Sequence, residues 1–300
     1  MNYVQLGKSA LTVSTIGFGC MSLGPDAADN TRLIHRACDL GINFFDTADL
    51  YERGMNEGML GKILLDRRQQ CILATKVGNR WRSDGSGWDW NPGKKYILAA
   101  VEKSLARLQT DYIDLYQLHG GTLQDPIGET IEAFERLKEQ GKIRYYGISS
   151  VRPDVIRAYV SMSGISSVMM QYGILDRRPE ESCLELLKDH GIGVLARGSL
   201  SRGLLADKAA APWLNYSTEQ VEAAAGVVRS LSGRGFLRTP AQTALRFVLQ
   251  NPSVSVAVTG FRTLSQLEDV ADTPDTPPLT DAMLQRLREA VPVNYYDQHR

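Results

Sequence analysis

The sequence has 300 residues, 43% hydrophobic and 23% charged, enough apolar mass for a large buried core. Its 34 basic and 34 acidic side chains cancel to a formal net charge of zero. That balance argues against a global basic field for nucleic acid or an anionic membrane surface. The first residues show no charged segment leading into an apolar one, so no signal peptide is expected. No apolar run approaches the ~20 residues that span a bilayer. The four cysteines, Cys20, Cys38, Cys71 and Cys183, have neither CxxC nor ligand spacing, and reduced thiols in a cytoplasmic protein are the expectation.

In chain order, residues 3–13 carry turn signals at Gly7-Lys8 and read as a hairpin. From residue 15 onward, short apolar strand patterns alternate with helical ones. The strands are 15–20, 43–47, 72–77, 112–118, 144–149, 167–171, 193–197 and 253–259. They are apolar on both faces, as buried parallel strands are. Helical spacing covers 30–40, 56–66, 94–108, 127–140, 153–162, 179–190 and 240–250. Gly141 stops one helix and prolines at 153 and 240 open two others. Residues 80–91, bearing Trp81, Trp88 and Trp90, read as a loop that could wall a substrate pocket. A long insert, 204–238, contains a helical stretch at 218–231, and 281–290 reads as a last helix.

Eight strands alternating with helices predict a single α/β domain over 1–300: a (β/α)8 TIM barrel with an N-terminal β-hairpin and extended loops at its C-terminal face. The doubly wound alternative would want a GxGxxG after an early strand, and none is present.

The chemistry gathers where the second, third and fourth strands end, at Asp46 and Tyr51, Lys76, and His119. Taken singly, each has an ordinary reading: a loop ion pair, a half-buried packing tyrosine, a satisfied core histidine. Together at one barrel mouth they make a proton-donating site. A free phenol, with a pKa of about 10, is a weak acid at neutral pH, and an ammonium beside it is expected to lower that value. Lys76 is the natural neighbour, and Asp46 would hold it. His119 would orient or hydrogen-bond a carbonyl oxygen. A metal-dependent hydrolase is a rival for the same barrel, but no second histidine has ligand spacing, and no metal is expected.

Five segments carry a resemblance that runs in order from residue 3 to about residue 290. They are Gly17-Phe18-Gly19-Cys20-Met21, Asp46 to Tyr51, Thr75-Lys76-Val77, Asp111 to His119, and Gly147-Ile148-Ser149-Ser150. The chain resembles the aldo-keto reductase family, in particular a bacterial general-stress-protein branch of NADPH-dependent reductases. The resemblance implies reduction of an aldehyde or ketone. Asp46, Tyr51, Lys76 and His119 form its catalytic tetrad, with Tyr51 as acid. It also implies NADPH/NADP+ lying extended across the mouth. Ser149 and Gln171 match carboxamide-binding positions, with Ser150 where many members have Asn. Ser199, Leu200, Arg202, Gly203 and Leu204 match the loop around the pyrophosphate. Gly260, Arg262 and Gln266 match the cradle of the adenosine 2′-phosphate. Asp269 matches an adenine contact, and Val270 replaces a frequent Asn. Arg197 stands where an aromatic often stacks on the nicotinamide. Expected partners are a small carbonyl substrate, with no nucleic acid, no membrane and no obligate protein. The alternative the resemblance carries is a redox-sensing subunit like the potassium-channel β-subunits.

Overall fold

The computed structural model describes residues 1–300. It opens with an antiparallel hairpin, β1 (Tyr3–Gln5) and β2 (Thr12–Ser14). The following elements are β3 (Ile16–Gly19), α1 (Ala27–Asp39), β4 (Phe44–Asp46), α2 (Met55–Leu64) and β5 (Ile72–Val77). A small hairpin, β6 (Asn79–Trp81) and β7 (Trp88–Trp90), precedes α3 (Lys94–Leu108) and β8 (Ile113–Leu118). The chain continues through α4 (Ile127–Glu139), β9 (Ile143–Ser149), α5 (Pro153–Met162), β10 (Ser167–Gln171), α6 (Cys183–Asp189) and β11 (Gly193–Arg197). It ends with α7 (Thr218–Ser230), α8 (Pro240–Leu249), β12 (Val254–Thr259), α9 (Leu264–Ala271) and α10 (Asp281–Glu289).

Strands β3, β4, β5, β8, β9, β10, β11 and β12 pair in parallel in that order, and β12 returns to β3 to close a barrel. The (β/α)8 expectation therefore holds. Each barrel strand is followed by a helix, and parallel strands buried on both faces explain the continuous apolar runs. Helices α7 and α10 stand outside this repeat and meet where Arg286 donates to Ser230 Oγ. Both α7 and α8 start at capping boxes, Ser217 with Gln220 and Thr239 with Gln242, and Pro240 supplies the first turn of α8.

Two stretches differ from the sequence expectation. Residues 80–91 are not a plain loop, because Asn79 pairs with Trp90, Arg80 with Asp89 and Trp81 with Trp88. Three residues a side are too few to display alternation. The helix expected over 179–190 is a short 3₁₀ turn, Arg178–Glu181, followed by α6. The break falls at Ser182, whose φ of −159° and ψ of −28° leave the helical region, while Glu180 just before it accepts from Tyr172 Oη at 2.8 Å and from the Arg177 guanidinium at 2.8 Å.

The hairpin β1–β2 closes the N-terminal end of the barrel. Leu6, Leu11 and Val13 pack into a cluster with Phe44, Ala74, Leu115, Met169 and Leu195, whose side chains fill the barrel interior. Burying each such leucine contributes roughly 1.5–3 kcal/mol. Gly7 lets the plug seat. Its φ is +54°, and an added Cβ would lie 2.6 Å from Gly193 N and 2.7 Å from Ser166 O, both backbone atoms that cannot yield. Gly7→Ala is therefore expected to destabilise the chain by at least about 2 kcal/mol. A lowered urea midpoint at unchanged slope would register this, and an unchanged midpoint would contradict the plug.

Candidate active site

The C-terminal ends of β4, β5 and β8 bring Asp46, Lys76 and His119 to one mouth, and the turn after β4 adds Tyr51. Lys76 and Asp46 are 1% and 5% exposed. The Lys76 ammonium donates to Asp46 Oδ2 at 2.6 Å, to the Thr47 carbonyl at 2.8 Å and to Tyr51 Oη at 3.5 Å. All three donors of the ammonium thus have acceptors. The Tyr51 and His119 rings meet edge to face, 5.9 Å between centroids. His119 Nδ1 is buried and has no partner within the chain.

Burial dominates the electrostatics. It would lower the pKa of Lys76, but Asp46 and Tyr51 outweigh it and the net shift is upward. Burial raises Asp46 against the pull of Lys76. For His119, burial first and then the charges of Lys76 and Arg197 depress the imidazole to about 3, so it is neutral at physiological pH. Tyr51 departs from the sequence expectation. Lys76 does pull its phenol down, but burial pushes harder and the net shift is upward. The phenol is therefore held protonated, in the form of an acid.

Several supporting residues were not singled out from the sequence. Gln117 donates to Asp46 Oδ1 at 3.3 Å. It lies two residues before His119, so strand periodicity could have found it. Thr47 Oγ1 donates to Asn56 Oδ1, and the Asn56 amide donates to the Cys20 carbonyl, tying β4, α2 and β3 together beneath the mouth. Trp81 Nε1 donates to the Leu50 carbonyl at 3.1 Å, one residue from Tyr51. Arg53 lies 5.0 Å over the Trp81 ring. This anchoring holds a strained turn, for Glu52, Arg53 and Gly54 all have positive φ. Trp90 covers Gly78 and Gly120 and donates to Asp125, whereas Trp88 is exposed. The tryptophan hairpin thus frames the rim of the site. Cys20 is wholly buried, as a small packed hydrophobe.

Behind the tetrad lies a second carboxylate group. Glu57 accepts from Thr75 Oγ1 at 2.6 Å and from Arg107 Nε at 2.7 Å. Asp49 is buried, with its Oδ1 unpartnered. Burial, and then the nearby Glu57, push the Asp49 carboxyl up to about 8.

The remaining candidates follow the ends of β9 to β12, at the same end of the barrel. Ser149 closes β9. Gln171 closes β10, donates to Asp176 at 2.9 Å and accepts from Arg197 Nη1 at 3.1 Å. Arg197 closes β11 and is exposed. Ser199 is buried, its hydroxyl donating to the Tyr172 carbonyl. Ser201, Arg202 and Gly203 all have positive φ. The N–H groups of Ser199, Leu200 and Arg202 make no hydrogen bond within the chain, which fits a loop made to hold an anion. After β12, Gly260 packs on Ser22, and exposed Arg262 precedes α9, whose Thr263 cap receives the Gln266 N–H. Gln266 in turn accepts from the Arg262 N–H. Asp269 accepts from Thr239, and Val270 is buried in the core. Tyr296 is buried beneath Arg178, while Tyr295 is exposed.

This barrel, with its chemistry at the C-terminal mouth, is that of an oxidoreductase. The chain belongs to the aldo/keto reductase family, whose model matches residues 15–292. It is 45% identical over 305 residues to the uncharacterized oxidoreductase YqkF of Bacillus subtilis, covering 99% of this chain and 98% of that protein. Among solved structures it is similar to the aldo-keto reductase AKR11C1 from Bacillus halodurans. For the holo form the TM-score is 0.94 at 47% identity, covering 100% of this chain and 99% of that one. For the apo form the TM-score is 0.84 at 44% identity with the same coverage. These proteins are named as oxidoreductases and reductases, which favours an enzyme over a regulatory subunit. No helix is long and apolar enough to cross a membrane.

Asp49 gives a pH signature. Between the ordinary carboxyl value and about 8 the folded chain holds a proton that the unfolded chain has lost. Stability is therefore fully present at acid pH and falls as pH rises through that window. Asp49→Asn removes the titration, since the amide is neutral at every pH. Its stability relative to wild type is expected to grow by roughly 1 kcal/mol per pH unit from pH 5 to 8. Denaturation midpoints across that range measure it, and a pH-independent difference would contradict a protonated Asp49.

Proposed function

We propose that the chain reduces aldehydes and ketones to alcohols with NADPH, and that Tyr51 is the general acid. The observation that carries this is the chain of contacts from Asp46 through the buried Lys76 ammonium to the Tyr51 hydroxyl, beside a neutral His119. The oxygen of a carbonyl substrate gains negative charge as its carbon is reduced, and the site offers that oxygen two donors. Tyr51 Oη transfers its proton, and a neutral imidazole N–H of His119 hydrogen-bonds and orients the oxygen. Lys76 stabilises the phenolate that remains, and Asp46 keeps the ammonium in place. The bound nicotinamide supplies the hydride.

The unbonded N–H groups of Ser199, Leu200 and Arg202, followed by Gly203, suit a pyrophosphate. Arg262 at the start of α9 suits the 2′-phosphate that distinguishes NADPH from NADH. Ser149 and Gln171 would meet the carboxamide, Asp269 the adenine, and Gly260 and Gln266 the 2′-phosphate segment.

Tyr51→Phe is expected to lower kcat by about 10²–10⁴-fold, with the Kd for NADPH unchanged. Turnover near wild type would reject Tyr51 as the acid. Arg262→Ala is expected to weaken NADPH binding about tenfold, close to 1.4 kcal/mol, and to leave NADH unaffected. Fluorescence titration with both cofactors decides it, since equal losses would remove the 2′-phosphate role.

A further inference from the structure

At the end of the barrel remote from the tetrad, two cysteines far apart in sequence meet. Cys38 lies in the last turn of α1, and Cys71 immediately precedes β5. Their sulfurs are 4.0 Å apart and in hydrogen-bond contact. A cavity of about 210 Å³, walled by both cysteines with Tyr3, Gly41, Asn43 and Gln70, gives a small molecule access to the pair. Cys20 and Cys183 are buried and do not line this cavity.

We propose that Cys38 and Cys71 form a reversible oxidation site, which a hydroperoxide entering this cavity converts to an intrachain disulfide. The two thiols are unequal. The hydrogen-bond contact with Cys71 and then the Arg67 guanidinium hold Cys38 below the ordinary thiol value, against burial. The same hydrogen bond, with burial, raises Cys71. Cys38 is also the more exposed of the two, Cys71 being buried, so Cys38 is the thiol a peroxide meets first and Cys71 the one that resolves.

In the first step the Cys38 thiolate attacks one oxygen of the peroxide. The O–O bond breaks, the departing alkoxide or hydroxide takes up the proton that the Cys38 thiol released and leaves as alcohol or water, and Cys38 becomes a sulfenic acid. In the second step the Cys71 sulfur attacks the Cys38 sulfur. The S–O bond breaks, water leaves carrying the Cys71 proton, and the S–S bond forms. Two thiols give up two electrons and the peroxide takes them. To bond, the sulfurs must close from 4.0 Å to ~2.05 Å, a shift within reach of side-chain rotation. The loop so closed spans residues 38–71 and contains β4 and α2. Constraining it in the unfolded chain should raise the melting temperature.

The test exposes the native full-length chain to excess hydrogen peroxide, blocks the remaining thiols with maleimide and maps unreduced peptides by mass spectrometry. The expected result is a linked Cys38–Cys71 peptide, with Cys20 and Cys183 still alkylated after unfolding. Dithiothreitol should reverse the link, and the oxidised protein should melt several degrees above the reduced one. Cys38→Ser and Cys71→Ser should each abolish the link and the rise in melting temperature. In Cys71→Ser, a dimedone adduct should accumulate at Cys38. Four intact thiols after exposure, linkage only in denatured protein, or Cys38 overoxidised without linkage would each overturn the proposal.

Discussion

A buried ammonium is the constraint from which the mouth of this barrel is organised. An unpaired charge held away from water costs several kcal/mol, so Lys76 requires an acceptor for each proton. The fold supplies Asp46, the Thr47 carbonyl and Tyr51. The first two come from the strand beside Lys76 and its continuation, where β4 pairs with β5 and Asp46 lies opposite Ala74. The third comes from the turn that follows. One cation therefore ties the ends of two paired strands to the Tyr51 turn. Gln117 completes the arrangement by satisfying the other Asp46 oxygen.

The same burial that makes Lys76 demanding makes its neighbours neutral donors. His119 cannot hold a second proton near neutral pH, and Tyr51 keeps its own because burial outweighs the ammonium. Proximity to a cation does not by itself produce a phenolate. The balance of burial against charge decides it, and here the phenol keeps its proton and stays neutral, with the Lys76 ammonium beside it. The strained turn after Tyr51 is kept in place by Trp81 and Arg53, so the small tryptophan hairpin contributes to the placement of Tyr51.

Three acidic side chains sit within this region and meet different fates. Asp46 has the ammonium and Glu57 has Arg107, whereas Asp49 has no cation in contact and is driven toward its protonated form. Partner supply, rather than residue type, separates them. The opposite end of the barrel repeats the lesson with sulfur. Four cysteines share the chain, but only Cys38 and Cys71 lie together with a cavity beside them.

The sequence by itself determined the barrel, because eight doubly apolar strands separated by amphipathic helices have few other ways to bury both faces. Strands 72–77, 167–171 and 193–197 coincide with the observed ones, and the ends of others shift by a residue or two. The meeting of Asp46, Tyr51, Lys76 and His119 was legible because Asp46 and Lys76 stand at strand ends and Tyr51 and His119 just beyond them, and strand ends of such a barrel converge. The β6–β7 hairpin was not legible, since three-residue strands carry too little pattern. The direction of the Tyr51 shift, the protonation of Asp49 and the meeting of Cys38 with Cys71 depend on burial depth and on contacts between residues distant in sequence. Those quantities exist only once the chain has closed on itself.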